Sequence, residues 1–279
     1  MSNSARGLAL MTAAMLSIPI ADGIAKHMTA GYQPVFVGWA SYIASALVVL
    51  PVSASRHGRR MLPERGRIWH GLRTVFLVTA MSFYFMAIAR IPLATAVSTY
   101  FVGPIIAVGL SAVLLKERLT WRKASSLALG FAGSLVILRP GAEISPGILF
   151  ALASGVVYAF YLIATRKAAE TGQPLQALSF QYLVGSLLLT PVALATWTTP
   201  QPADLLLFAA MGIVGAISHL MSIAAFRLVE ASTLSPMVYL ELLGAVVIGY
   251  VAFHEVPDAT TMLGAGGIIL AGLILVRRR

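Results

Sequence analysis

Ten long apolar runs constrain this chain more than any other feature of its sequence. They cover roughly residues 7–28, 33–52, 68–89, 91–114, 120–138, 146–166, 175–195, 203–226, 231–253 and 258–276. A helix needs about 20 apolar residues to cross the hydrocarbon core of a bilayer, and each run has about that length. The runs are uniformly apolar and do not alternate in ten-residue segments, which excludes a β-barrel. The sequence predicts an all-α polytopic membrane protein with ten transmembrane helices.

Composition agrees with this class and excludes others. Hydrophobic residues make up 58% of the chain and charged residues 11%, whereas soluble domains have roughly half and roughly a quarter. The net charge of +10 is carried by no basic arm or helix, so we expect the lipid bilayer and not nucleic acid as a partner. The chain has no cysteine, which excludes thiolate metal sites. We expect neither a metal nor a cofactor.

The gaps between the runs carry most of the positive charge. With the runs taken to cross alternately, sixteen of the twenty Lys and Arg residues lie on the side of the N-terminus. Positive residues remain cytoplasmic in membrane proteins. The sequence therefore predicts a multi-pass protein of the cytoplasmic (inner) membrane with both termini in the cytoplasm.

One segment of the first half is written again in the second half. Residues 33–52 match residues 173–192 at a shift of 140, and the identical pairs are Gln33/Gln173, Pro34/Pro174, Tyr42/Tyr182, Leu47/Leu187, Pro51/Pro191 and Val52/Val192. We expect a first repeat at 1–140 and a second at 141–279, with five helices each. Because five is odd, the second repeat enters the membrane from the opposite face. Inverted repeats are typical of secondary transporters, which bind substrate near the midplane.

The segment 93–141 begins with small residues, has a proline within the helix and a glutamate at its end, and continues into a glycine-containing span; residues 232–276 repeat this pattern. In these features the chain resembles the EamA-type family of drug/metabolite transporters over its whole length. The resemblance implies a ten-helix permease of two five-helix repeats. It also implies export of amino acids and other metabolites, or import of riboflavin-like or nucleoside-derived compounds.

Glu241 is the first candidate for a functional residue, because it lies midway along an apolar run. A charged side chain there costs about 3 kcal/mol and usually marks a functional site. It could exchange protons or bind a substrate ammonium; the alternative is a protonated carboxyl that packs helices together. Pro236, and likewise Pro104 and Pro19, predict helix kinks near the substrate cavity.

Asp22 and Lys26 are spaced i, i+4 near the end of the first run, where opposite charges meet. They predict either a gate for a zwitterionic substrate or an ion pair at the membrane interface. His219 is a candidate proton relay, with an interhelical structural histidine as the alternative.

Aromatic and hydroxyl side chains recur in several spans. The further cavity candidates are Phe83, Tyr84, Tyr100, Ser154, Tyr158, Tyr161 and Tyr239. Tyrosines at bilayer depth need hydroxyl partners and offer flat faces to a planar substrate; the alternative is core packing. We expect a cavity lined by spans one, three, four, six, eight and nine. The repeated Tyr42 and Tyr182 are interpreted as structural.

The motifs of other functional classes are missing from the sequence. It contains no Gly-x-x-x-x-Gly-Lys-Ser/Thr sequence for a nucleotide-driven pump, and no hydrolase or protease signature for an intramembrane enzyme. A channel filter sequence is also missing. We predict an alternating-access carrier for a small organic molecule, with amino-acid export as the first hypothesis and import of riboflavin-like or nucleoside-derived metabolites as the alternative. Proton exchange or facilitated diffusion, and a monomer or a homodimer, are all compatible with the sequence.

Overall fold

The computed structural model describes residues 3–114, 120–138, 145–171, 173–229 and 234–276, and all regular structure in these ranges is helical. The helices are α1 Asn3–Met28, α2 Pro34–His57, α3 Arg67–Ile88, α4 Leu93–Tyr100, α5 Val102–Leu114, α6 Trp121–Leu138, α7 Pro146–Ala168, α8 Pro174–Ala195, α9 Pro202–Leu228, α10 Leu240–Phe253 and α11 Ala259–Val276. Two 3₁₀ segments are present, Gly58–Arg60 after α2 and Ser235–Tyr239 before α10.

The predicted fold class is confirmed. Within the described ranges, seven helical segments are long and apolar enough to cross a membrane, and shorter apolar helices at Lys123–Leu138, Met237–Phe253 and Ala259–Ile274 complete the ten. In this count α4 and α5 form one span, Leu93–Leu114. Large side chains such as Leu47, Leu206 and Leu263 are more than two-thirds exposed on the outside of the bundle, as contact with lipid requires.

Most of the large helix–helix interfaces join a helix of the first half of the chain to a helix of the second half. Helix α1 packs along α9, and α3 packs along α7. Helix α2 contacts α8, and α6 contacts α11. The predicted boundary between the repeats, at residues 140 and 141, lies outside the described residues.

The three predicted kinks differ in the structure. Helix α1 runs as one element through Pro19. Pro104 follows the interruption between α4 and α5, because a proline provides no N–H for the carbonyl four residues earlier, here Tyr100. Pro236 lies within the 3₁₀ segment that precedes α10.

Glycines allow α7 to approach this interruption closely. A Cβ atom on Gly155 would lie 2.9 Å from the carbonyl oxygen of Tyr100 and 2.8 Å from a methyl group of Val102. A Cβ on Gly103 would lie 2.6 Å from the carbonyl oxygen of Gly155. Small residues at such crossings bring helix backbones together in membranes, and this crossing fixes the position of Tyr100.

We predict that Gly155→Ala destabilises the protein by about 1–3 kcal/mol, because the added methyl group forces α5 and α7 apart. Thermal unfolding in detergent measures the effect as a lower midpoint. Gly71→Ala is the matched control, since a Cβ there meets nothing within 4 Å. Equal midpoints for the two variants would contradict the prediction.

Candidate functional site

A cavity of about 730 Å³ lies inside the bundle, and every helix except α6 contributes to its lining. The sequence-predicted residues that line it are Asp22, Tyr84, Tyr100, Pro104, Tyr158, Tyr161, His219, Tyr239 and Glu241. Spans two, seven and ten also contribute, through residues such as Ser41, Gln181 and Gly272. The expected set of six lining spans was therefore too small.

Four tyrosines form a continuous row along one wall of the cavity. The ring centres of Tyr84 and Tyr100 are 5.5 Å apart, those of Tyr100 and Tyr158 are 4.7 Å apart, and those of Tyr158 and Tyr161 are 5.0 Å apart. Helices α3, α4 and α7 supply these side chains. We call Tyr84, Tyr100, Tyr158 and Tyr161 the tyrosine row. Its faces and hydroxyl groups suit a molecule that is partly flat and partly polar.

A carboxyl group lies at one end of the row, and a second one lines the same cavity. The Tyr84 hydroxyl donates a hydrogen bond of 2.8 Å to Oδ2 of Asp22, whose side chain is buried. Glu241 lines the same cavity from α10, which packs against α1. Among the described residues, neither carboxyl group forms a salt bridge. Two carboxyls in one apolar cavity favour a cationic ligand, because a buried charge is costly without a partner.

An arginine that the sequence analysis did not select lies at the other end of the row. Arg73 of α3 is buried and donates a hydrogen bond of 3.3 Å to the Tyr161 hydroxyl. Its guanidinium group also lies over the Tyr161 ring, 5.4 Å from the ring centre. The sequence signal that could have identified Arg73 is an isolated Arg within an apolar run. The tyrosine row thus connects an acidic end with a basic end.

A further group of residues at the cavity consists of Tyr42 of α2, Tyr182 of α8 and His219 of α9. Tyr42 and Tyr182, interpreted from the repeat as structural, contact each other edge to face at 5.4 Å and both line the cavity. The Tyr182 hydroxyl lies 3.4 Å from Nδ1 of His219, and that nitrogen lies 2.9 Å from the carbonyl oxygen of Gly215. This environment supports the interhelical interpretation of His219 while leaving the ring at the cavity.

Two predicted cavity residues lie elsewhere. Phe83 stacks on Phe150, with ring centres 6.1 Å apart, because neighbouring residues of a helix point about 100° apart and Tyr84 takes the inward direction. Ser154 is buried between helices and donates a hydrogen bond of 2.7 Å to the carbonyl oxygen of Ala80. It joins α7 to α3 and does not line the cavity.

Of the two alternatives for Asp22 and Lys26, the ion pair is wrong, and the gate stays a prediction. Lys26 Nζ lies 2.8 Å from Glu255 Oε1 and donates hydrogen bonds to the carbonyl oxygens of Ile88 and Ile91. The other oxygen of Glu255 accepts a hydrogen bond of 2.9 Å from the backbone N–H of Leu93. The end of α1 turns Lys26 toward the loops, whereas Asp22, one turn earlier, faces Tyr84.

These contacts close one end of the bundle, which we call the Lys26 end because α1 ends there. Tyr32 adds a second contact by donating a hydrogen bond of 2.6 Å to Asp204, and this bond raises the pKa of the Tyr32 phenol. A cluster of rings below it comprises Phe36, Trp39, Trp197 and Phe208. None of these residues is among those that line the cavity.

The cavity also extends toward the opposite end of the bundle, which we call the Glu170 end because α7 ends there. Its lining reaches Leu162, near the end of α7, and Phe226, near the end of α9. A largely apolar cavity with a few ionisable groups, inside a ten-helix bundle, is typical of membrane transporters.

Comparison with known proteins places the chain in a family. The sequence profile of the EamA-like transporter family matches residues 5–139 and again residues 145–278. The chain belongs to the EamA-like transporter family, which confirms the resemblance found in the sequence.

Similar proteins include transporters for different molecules. The chain is 26% identical to the S-adenosylmethionine uptake transporter of Rickettsia prowazekii, over 97% of this chain and 92% of that one. It is 26% identical to the riboflavin transporter of Vibrio cholerae, over 95% and 91%, and 26% identical to the pseudopaline exporter CntI of Pseudomonas aeruginosa, over 98% and 96%. A crystal structure with 21% identity covers 98% of the chain with a TM-score of 0.66, which supports the fold.

We predict that Glu255→Gln opens the Lys26 end more often, because the ion pair is largely buried, with side-chain exposures of 12% for Lys26 and 21% for Glu255. A single cysteine introduced as Ala21→Cys reports this opening, since the chain has no cysteine of its own. Labelling by a membrane-impermeant thiol reagent from the Lys26 end is expected to become about tenfold faster, equivalent to about 1.4 kcal/mol.

Glu64→Gln is the control for this experiment. Glu64 also forms an ion pair, with Arg60, but both side chains are more than half exposed, and such pairs contribute little. Equal labelling rates in the Glu255 and Glu64 variants would show that the Lys26–Glu255 pair does not hold this end closed.

Proposed function

We propose that the protein is a secondary transporter of small organic cations that carry a planar group, and that S-adenosylmethionine is the first such compound to test. The observation that carries this proposal is the presence of Asp22 and Glu241 in a cavity lined by the tyrosine row. Carboxyl groups offset the positive charge of such a substrate, and tyrosine faces stack on its ring system.

One relative supports this substrate class, and the two carboxyl groups of the cavity favour it over a neutral one. The S-adenosylmethionine uptake transporter of Rickettsia prowazekii aligns over 97% of the chain, and its named substrate joins a sulfonium cation to an adenosine group. The riboflavin transporter of Vibrio cholerae is similarly related, but a neutral ring system does not require two carboxyl groups. Amino-acid export is the second candidate, favoured by the similarity to an exporter.

The proposed mechanism is alternating access between two inverted five-helix halves. Superposition of each half on the other would place α1 on α7 and α9 on α3. The observed contact of α1 with α9 would then coincide with the observed contact of α7 with α3. The contacts of α2 with α8 and of α6 with α11 would fall on themselves. This correspondence supports a two-fold axis in the membrane plane.

The carboxyl groups also supply a basis for proton exchange. Protonation of a carboxylate reduces the net charge of the cavity, and so does binding of an organic cation to it. A smaller charge favours reorientation of the two halves within the membrane. In the proposed cycle, protons and substrate compete for Asp22 and Glu241. The distribution of positive residues supports both termini in the cytoplasm, which would place the Glu170 end on the cytoplasmic side.

We predict that proteoliposomes containing the protein accumulate labelled S-adenosylmethionine, and that Asp22→Asn and Glu241→Gln each weaken its apparent affinity about tenfold or more through loss of a charge–charge interaction. Glu64→Gln, which alters an exposed pair, serves as the control and should transport normally. Full activity of both cavity variants, or uptake of riboflavin and not of S-adenosylmethionine by the unmodified protein, would refute the proposal.

A further inference from the structure

Arg73 has hydrogen-bond donors and charge that its neighbours do not fully use. Its Nε donates to Thr165 Oγ1 at 3.1 Å, one terminal nitrogen donates to the carbonyl oxygen of Ala177 at 3.1 Å, and the other donates to the Tyr161 hydroxyl at 3.3 Å. All three acceptors are neutral, and a guanidinium group has five N–H donors. Among the described residues no carboxylate forms a salt bridge with it. A buried cation without an anion is costly unless a ligand supplies the anion.

Gln181 supplies a second unused group at the same level of the bundle. Its side chain is 2% exposed and lines the cavity, and within the described part of the chain no donor forms a hydrogen bond with its Oε1 atom. Gln181 lies one turn of α8 after Ala177, whose carbonyl oxygen binds Arg73. A buried acceptor without a donor costs about 1–3 kcal/mol. Gln181 and Tyr161 both line the cavity, and Arg73 reaches it through its hydrogen bond to Tyr161.

We infer that Arg73 and Gln181 form a subsite for the α-amino-acid head group of the transported molecule, which rests on the proposed function and makes its substrate class narrower. A carboxylate accepts hydrogen bonds from the guanidinium group, and the neighbouring ammonium donates one to Gln181 Oε1. The long hydrogen bond from Arg73 to the Tyr161 hydroxyl is the contact that the carboxylate replaces, by rotation of the Tyr161 side chain.

This assignment leaves the Asp22 end of the cavity for the other end of the substrate. The tyrosine row separates the two ends, with Asp22 bound to Tyr84 and Arg73 bound to Tyr161. In S-adenosylmethionine the sulfonium is two methylene groups from the amino-acid carbon, so with the carboxylate at Arg73 the sulfonium would lie along the tyrosine row and the adenine amino group would point toward Asp22. A molecule without the carboxylate loses the contact with Arg73 and keeps its other contacts with the cavity.

Binding of matched ligand pairs to the purified full-length protein tests the subsite. The pairs are S-adenosylmethionine with its decarboxylated form, and tyrosine with tyramine; each differs only by the carboxylate. We expect the unmodified protein to bind the carboxylate member of a pair about tenfold more tightly, measured as Kd by calorimetry. Arg73→Gln should abolish this preference by weakening only the carboxylate member. Gln181→Leu should weaken both members, because both carry the ammonium group.

Two further variants keep the test decisive. Arg90→Gln is the matched control, since Arg90 is exposed and donates a hydrogen bond to the carbonyl oxygen of Met86, one turn earlier at the end of α3; the preference should persist. If Arg73→Gln does not fold, Arg73→Lys, which keeps the charge but loses the two-pronged geometry, should retain only part of the preference.

The outcomes separate the subsite from the proposed function. Binding of S-adenosylmethionine with no preference within either pair would overturn the subsite and leave the function standing. A preference for tyrosine over tyramine that Arg73→Gln removes, without binding of the S-adenosylmethionine pair, would support the subsite and refute the function. A preference that persists in Arg73→Gln would overturn the subsite, and binding of neither pair would overturn both.

Discussion

Polar groups have no water to bind in the hydrocarbon core, and this constraint governs the structure. Regular helices satisfy their own backbone, so irregular backbone is tolerated only beside a cavity or within protein. Both interruptions of the spans follow this rule. The break between α4 and α5 places Tyr100 and Pro104 at the cavity, and the 3₁₀ segment before α10 ends at Tyr239, which also lines it. The backbone is irregular where a substrate would need contacts.

The same constraint explains why the charged side chains face inward. Asp22 binds the Tyr84 hydroxyl, and Arg73 binds the Tyr161 hydroxyl and a backbone carbonyl. Each of these partners is neutral, so the protein provides hydrogen bonds to these side chains but no opposite charge. Such a site suits a ligand with charged groups, because the two side chains already have hydrogen bonds and lack only a partner of opposite charge.

Sequence reasoning predicted the features that depend on one helix at a time. The ten spans, Glu241 and the tyrosines are properties of single runs, and the structure brings most of those residues to one cavity. Sequence reasoning failed for side chains whose partners lie on other helices. Lys26 has Asp22 at the favourable i, i+4 spacing, yet it binds Glu255 across the bundle. Arg73 was passed over and Tyr42 was interpreted as structural, because the sequence does not show which face of each helix points inward.

Alternating access requires that the cavity opens in turn to each of the two ends of the bundle. Pairs of spin labels measure this directly, because the chain contains no cysteine and labels can be placed at will. One pair at Ala30 and Val256 spans the Lys26 end, and another at Leu8 and Glu170 spans the Glu170 end. Alternating access predicts that saturating S-adenosylmethionine creates a population with a longer distance for the first pair and a shorter distance for the second. Distances that stay fixed, or that change in the same direction at both ends, would contradict it.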